Sequence, residues 1–472
     1  MIKKDITSYL KNCGFIIPNA EIYGRLANFW DLGSHGAELK RNLKNLWWKY
    51  FITTNPYNIG SDSCIITHPL VLKASGHLKN FHDWLVECHS CRKRHRLDNL
   101  ISAEEFTAFL EKENKSNYIV KVNCSKCGKN DFHSPRLFNL LLTTNLEIAD
   151  GKENTVYLRP ETCQGIFTNF LALQKSTHRQ LPFGVGQIGK SFRNEITLHH
   201  GIFRTREFEQ MELEFFCTSD ESERWWNYWN EKAWNFLQKV IINDQQRIKK
   251  INLQASELPH YAKKTLDIYF NYHFGWGELC SVSDRGNYDL SQHNKCSQKN
   301  LSVNKIIPEI IEVSFGIERI ILAILEDSYH EEITKKTQEK DKERIFLKLH
   351  PLLAPYFVSI IPLSASKLKG EKKLEKKAYR LYHKLLKTSI FSLSYEKTNS
   401  VGKSYRRQDA IGTYYCLVVD FLTINKKSQH YNTVTVRCRD TMKQKKRRIK
   451  FDEISKYLNN EYEKILQKFT KK

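Results

Sequence analysis

The chain has 472 residues, a formal net charge of +23, and 9 Trp, 22 Tyr and 26 Phe, which is enough apolar material for two or three folded domains. No apolar run reaches the roughly 20 residues a membrane helix requires, so no membrane association is expected, and the N-terminal MIKKDITSYLKNCGF has no apolar signal core. Of the 12 cysteines, four fall in metal-type pairs and the rest are single, a pattern of reduced thiols that points to the cytoplasm and excludes a secreted disulfide scaffold.

In chain order, residues 37–51 place Leu39, Leu43, Leu46, Trp47 and Tyr50 on one helical stripe. A turn-rich stretch leads to the strand-like CIITHPLV at 64–71. Residues 84–135 hold the cysteine pairs around a polar middle, and TVYLRP reads as a strand. A long helix is expected over 222–250, with Trp226, Trp229, Ala233, Leu237 and Val240 on one side. LDIYFNYHF and PEIIEVSF read as strands and IERIILAILEDSY as a helix. The highly charged 329–343 has no core stripe and reads as a linker. Beyond it strands alternate with helices: YFVSIIPL, EKKLEKKAYRLYHKLLK, FSLSYEK, YRRQDAIG, YYCLVVDFL and NTVTVRCRD. That pattern predicts a small α/β domain at 344–472 behind an α+β body at 1–343.

Charge follows the same division. Residues 344–472 carry 30 Lys+Arg against 10 Asp+Glu, a balance of +20, while the first 343 hold 45 against 42, a balance of +3. A basic module on a near-neutral body points to a polyanion partner held at one end.

The segment SFRNEITLHHGIFRTREFEQMELEFF, 191–216, breaks the rule for a half-buried strand. Its better face, Phe208, Gln210, Glu212, Glu214 and Phe216, mixes rings with carboxylates. Read as two antiparallel strands joined by a loop with His199, His200, Arg204 and Arg206, it places Arg193 and Glu195 on one face of the first strand. Such charges face water or a polar ligand, because an apolar core would impose a large desolvation cost. A ring beside guanidiniums suits a nucleotide, with the base stacked and the phosphates paired to arginine. In FGIER, Arg319 falls in the first turn of a helix, where arginine and helix dipole together suit a phosphate.

These segments resemble motifs 1, 2 and 3 of the class II aminoacyl-tRNA synthetases. Residues 37–51 with IITHP are similar to motif 1, Pro69 being its proline, 191–216 to motif 2, and SFGIERI to motif 3. The fuller set is similar to the homodimeric glycyl-tRNA synthetases: EIYGRLANFWDLG, VLKASGH, YLRPETCQGIF, FGWGELCSVSDRGNYDLSQH, LHPLLAPYFVSIIPL, GKSYRRQDAIG and TVTVRCRDT. The resemblance implies a class II antiparallel-sheet catalytic domain with an insertion at about 84–156, followed by a C-terminal anticodon-binding domain. It implies glycine, ATP, Mg²⁺ and tRNA(Gly) as reactants and partners, and a homodimer.

The resemblance also assigns roles. Arg193 and Arg319 are the catalytic arginines, on the α- and γ-phosphates. The ATP site comprises Arg193, Asn194, Glu195, Phe203, Arg204, Thr205, Arg206, Glu207 and Phe208, the last as the adenine platform. Glu278, Leu279, Gly316, Ile317, Glu318 and Arg319 complete it. The glycine site takes Arg96, Glu161, Phe208, Glu209, Gln210, Met211, Glu212, Glu312, Val313, Ser314, Phe315 and Gly316. The chain departs from the family at Val313, where a proline is expected, and at Ser34-His35, where a Gly-Pro pair is expected. Arg437 and Arg439 in TVTVRCRD, with Arg406 and Arg407 in SYRRQD, supply guanidiniums for RNA.

Cys88-x2-Cys91 and Cys124-x2-Cys127 form two knuckle-like pairs, suited to one structural Zn²⁺, with free thiols as the alternative. The spacing between the pairs exceeds that of common zinc ribbons.

Overall fold

The computed structural model describes residues 6–115, 118–148, 152–195, 200–336, 339–363, 371–397 and 400–471. His199 lies outside them. The body is built on a seven-stranded sheet. Its order is Ile248–Asn252, Lys264–Tyr272, Gly275–Gly286, Glu309–Gly316, Glu207–Cys217, Phe183–Phe192 and Asn58–Gly60. All neighbours are antiparallel except the last pair.

The two faces of the Glu207–Cys217 strand explain the odd motif. Met211, Leu213, Phe215 and Cys217 are buried against Trp225, Trp229, Phe236 and Leu237 of helix Ser222–Val240. Ile320, Ile321 and Ile324 of helix Ile317–Ser328 and Leu39, Leu43 and Trp47 of helix Ser34–Trp47 join the same core. On the other face Phe216 packs with Phe170 and Phe183, while Phe208, Gln210 and Glu212 line a cleft. From Met211 onward one side of the strand is thus apolar, while the other is polar and floored by rings.

Several elements differ from expectation. The helix expected over 222–250 ends at Val240, and Ile248–Asn252 is an edge strand. Asp327 captures the chain there, accepting the backbone N–H groups of Asn243 and Asp244 at 2.9 and 3.0 Å. In CIITHPLV only Ile66–Thr67 is strand. His68 Nδ1 accepts from Leu70 N–H at 3.1 Å and Pro69 opens helix Pro69–Ala74. The first strand of motif 2 spans Phe183–Phe192, so Arg193 and Glu195 lie beyond its end and not on one of its faces.

The charged 329–343 is no plain linker. Tyr329–Lys336 pairs with Glu339–Leu347 as an antiparallel hairpin. Charged residues are as compatible with a solvated two-stranded ribbon as with a loop, since cross-strand pairs of opposite sign support it. Arg344 bridges Glu332 at 3.0 Å and Asp409 at 2.9 Å, tying the hairpin to the C-terminal part.

The insertion folds around Val86, Leu97, Ile101, Phe109 and Val120, with strands His82–Glu87, Arg94–Arg96 and Arg136–Asn139. The C-terminal part is a five-stranded mixed sheet ordered Leu393–Tyr395, Val358–Pro362, Tyr415–Val419, Thr433–Cys438 and Ile449–Lys450. Its first three strands are parallel, connected through helices Glu371–Leu386 and Val401–Ala410. The last helix, Ile454–Thr470, starts in this core at Ile454 and Leu458 and ends in the core of the body. There Phe469 lies edge-on to Tyr50, Phe236 and His350.

Candidate active site

The polar face of the central strands opens into a cavity of about 300 Å³. At one end are the arginines. Arg193 is held by its backbone N–H on Arg206 O at 2.9 Å and by Nε on Pro160 O at 3.0 Å. Its guanidinium lies 5.4 Å from the ring centroids of both Phe81 and Phe208. Arg319, in the first turn of helix Ile317–Ser328, reaches Glu278 at 3.2 Å and stands 4.9 Å over the Phe203 ring. Glu195, Arg204 and Thr205 complete this wall.

The other end is acidic. Glu212 accepts the Thr162 N–H at 3.0 Å, Gln210 Nε2 at 2.7 Å and Ser314 Oγ at 2.8 Å, and also the Thr162 hydroxyl. Glu161 accepts Gln164 Nε2 at 2.9 Å and lies 3.4 Å from His77 Nε2. Burial works against its charge, yet His77 and Arg285 hold its pKa well below the carboxylate range. Burial pushes Glu312 up to about 7, opposed by Arg285 and aided by Glu212 and Glu161. Two acids with separated pKa values in one pocket are a mark of a functional site.

The alternation of a strand sorts the expected residues. Glu161, Arg193, Glu195, Phe203, Arg204, Thr205, Phe208, Gln210, Glu212, Glu278, Glu312, Ser314, Gly316, Glu318 and Arg319 line one cavity. Met211, Val313, Phe315, Leu279 and Ile317 do not, being buried in the core on the opposite face. Val313, where the resemblance leads to the expectation of a proline, therefore sits in the packing and not in the pocket lining. Glu209 also points away, to Lys40 and Lys44, and Glu207 pairs with Lys190 outside. Arg206 donates to Glu195 O at 3.1 Å, and Asn194 is fixed through its N–H on Leu140 O at 2.8 Å, so neither side chain lines the cavity. Arg96 is likewise outside, forked on Asp98 at 2.7 and 3.1 Å.

Sequence reasoning missed Arg285. It is 2% exposed, donates to Asp289 at 2.7 and 2.8 Å and to Glu312 at 3.0 Å, and lies 3.7 Å over the Tyr261 ring. An arginine and an aspartate four apart in SDRGNYD were the available signal. Asp267, Ser281 and Ser283, also in the lining, sit on the Lys264–Tyr272 and Gly275–Gly286 strands.

The four cysteine sulfurs of the insertion, Cys88, Cys91, Cys124 and Cys127, lie within 4.8 Å of one another. Each pair sits on a tight turn: Arg92 N–H reaches Cys88 O at 2.9 Å and Gly128 N–H reaches Cys124 O at 2.8 Å. Gly128 has φ +73°, the left-handed value such a turn demands.

Residues 145–328 match the tRNA synthetase class II core domain (G, H, P, S and T), and residues 358–461 the anticodon binding domain. The chain is 46% identical over 468 residues to the glycine–tRNA ligase of Mycoplasma capricolum subsp. capricolum, covering 96% of this chain and 98% of the relative. It is 43% identical over 478 residues to that of Acetivibrio thermocellus, covering 97% and 98%. The chain belongs to the glycine–tRNA ligase family. Among solved structures it is similar to prolyl-tRNA synthetase from Cryptosporidium parvum, with TM-score 0.59 at 12% identity over 98% of this chain and 78% of that one. At that identity the likeness bears on the class II fold alone. Among the described residues no helix is long and apolar enough to cross a membrane.

Proposed function

We propose that the protein joins glycine to ATP, releasing pyrophosphate, and then passes the glycyl group to the 3′ end of tRNA(Gly). One observation carries this reading: a single cavity has guanidiniums and rings at one end and three buried carboxylates, Glu161, Glu212 and Glu312, at the other. The acidic end suits an ammonium, and exclusion of larger amino acids by its walls would give the selectivity. The carboxylate oxygen of glycine attacks the α-phosphorus, forming the mixed anhydride as the bond to pyrophosphate breaks. Arg193 holds the α-phosphate, Phe208 stacks on adenine and Arg319 meets the γ-phosphate, so the protein contributes position and fixed charge. Glu278 and Asp267, oxygen donors beside Arg319 in the same cavity, would hold Mg²⁺, which neutralises phosphate charge when bound. The terminal ribose hydroxyl then attacks the glycyl carbonyl and AMP leaves.

The four converging thiols fit one tetrahedral Zn²⁺ as a structural cross-link of the insertion, because closely set thiolates repel without a cation. Arg437 and Arg439 are withdrawn from the RNA surface. Arg437 forks onto Asp409 at 2.8 Å and Arg439 donates to Leu349 O and Gly412 O, both side chains being buried. tRNA phosphates instead meet exposed cations: Arg406 and Arg407, and Lys372, Lys376 and Arg380 on the solvent side of helix Glu371–Leu386. The enzyme works as a cytoplasmic homodimer in this reading. The stripe of helix Ser34–Trp47 is used up inside the chain, with Leu39, Leu43 and Trp47 at 0% exposure, so it lends dimerisation no support. Exposed apolar side chains among the described residues include Ile22 and Tyr23, at 86% and 87% exposure.

ATP–pyrophosphate exchange against each of the twenty amino acids, without tRNA, tests the reading. Exchange with glycine alone is expected. Exchange with a different amino acid would overturn the pocket assignment while leaving the fold.

A further inference from the structure

Behind the cavity, one ammonium joins the three sequence motifs. Lys40, on helix Ser34–Trp47, places Nζ 2.7 Å from Glu209 Oε2 and 2.7 Å from Glu318 Oε1. The second oxygen of Glu318 accepts the backbone N–H of Glu209 at 2.9 Å, and Lys44 takes the second oxygen of Glu209. The Lys40, Glu209 and Glu318 side chains are 17%, 9% and 12% exposed, so solvent screens them weakly. Two lysines and two carboxylates leave the cluster neutral.

Glu318 precedes Arg319 in the chain and lines the cavity wall. Gly316 gives the Ile317–Ser328 helix no side-chain cap, so its first turn is held by the bonds of Glu318 to the strand and to Lys40, and by Tyr272 Oη on Arg319 O at 2.8 Å. Without Lys40, Glu318 would keep the Glu209 N–H but lose its only cation among the described residues, beside Arg319. It would compete for that guanidinium and repel a triphosphate.

We propose that Lys40 is a positioning residue for ATP: it keeps the Glu318 carboxylate turned away from Arg319, so that Glu278, at 3.2 Å, is the carboxylate this guanidinium meets beside the nucleotide. The inference rests on the ATP assignment made above and adds a route by which the motif 1 helix acts on motif 3. Lys40 itself touches no substrate.

The test uses full-length Lys40→Met, Lys40→Arg, Glu318→Gln and Lys40→Met/Glu318→Gln, with thermal melts beside ATP–pyrophosphate exchange. Lys40→Met is expected to raise KM for ATP by roughly ten- to a hundredfold, less than the full scale for breaking a buried charge pair because Lys40 acts on the nucleotide only through Glu318, with KM for glycine changed less than about twofold. Adding Glu318→Gln recovers most of that loss, and Lys40→Arg retains near wild-type KM. An unchanged KM for ATP, equal rises for ATP and glycine, or no recovery by Glu318→Gln would overturn the proposal. Should Lys40→Met fail to fold, the triple variant Lys40→Met/Glu209→Gln/Glu318→Gln, which leaves only the more exposed Lys44 charged at this point, takes its place. A KM for ATP near wild type then supports the proposal and a raised one sinks it. Failure of the functional reading would show separately, as wild-type protein that exchanges with another amino acid or with none.

Discussion

Arg193 sits between two aromatic rings and is oriented by carbonyls, not by a carboxylate, so its charge is available to a phosphate. Arg193→Ala is expected to lower the exchange rate by about 10²–10³, the scale for losing one donor to developing charge, while tRNA binding in a filter assay stays within a fewfold. Equal loss of both would contradict its placement. Glu312 sets a pH dependence. Burial pushes its carboxyl up to about 7; an acid with a raised pKa is charged only above that value, so the pocket loses a negative charge as pH falls through about 7. KM for glycine should therefore rise below pH 7 and Glu312→Gln should flatten that profile at a high KM, while Asp267, which burial also raises to about 7, gives KM for ATP its own pH dependence that Glu312→Gln leaves in place. A glycine KM independent of pH between 6 and 8 would remove Glu312 from the ammonium site. Legibility at this scale followed residue chemistry. Glu212 was recognisable as a charge on a ring-bearing strand face and Arg319 as an arginine in the first turn of a helix, while Glu161 took its role from the resemblance alone. Glu209 and Met211 were misplaced because a family motif is contiguous in sequence while a strand sends alternate residues to opposite faces.

Elements were legible where one periodicity dominated. The strands Glu207–Cys217 and Glu309–Gly316 and the helix Ile317–Ser328 lie where the sequence pattern puts them. The misses arise from hydrogen-bond partners that no single periodicity reveals. Asp327 ends the helix at Val240, and the pairing of 329–336 with 339–347 turns a charged run into a hairpin. The insertion is too small for much of a core, with Val86, Leu97, Ile101, Phe109 and Val120 as its buried apolar set, so a metal cross-link would carry much of its stability. Purified protein is expected to contain one Zn²⁺ per chain by elemental analysis. Cys124→Ser should lose it and open the insertion to proteolysis between residues 84 and 135. Metal-free protein with an intact, protected insertion would favour free thiols.

At the scale of the molecule, the uneven charge suggests a detachable RNA-binding tail, and removal of 344–472 would then spare glycine activation. The packing says otherwise. Leu347, Leu349, Leu352, Leu353 and Phe469 belong to the same buried cluster as Trp47, Phe236 and Phe315. Lys239 ties helix Ser222–Val240 to the chain end through Phe469 O at 2.6 Å. Truncation at 344 is expected to abolish folding of the body as well as tRNA binding. Phe469→Ala alone should cost about 3–5 kcal/mol in denaturant unfolding, the range for emptying a buried aromatic site. A truncated body that melts like the full chain would show the two parts to be independent after all.

The sequence by itself determined the order of the elements and the uneven charge, because periodicity and charge are local properties, and the resemblance of its motifs to the class II synthetases supplied the reaction family and most of the candidate site residues. Only the tertiary structure decided which face each of those groups meets. It buried Arg285 between Asp289 and Glu312, set Arg437 and Arg439 to structural duty and carried Phe469 into the core of the body. The reason is physical: partners for buried charges and cavities for rings come from residues far away in the chain, and no local pattern encodes their distance.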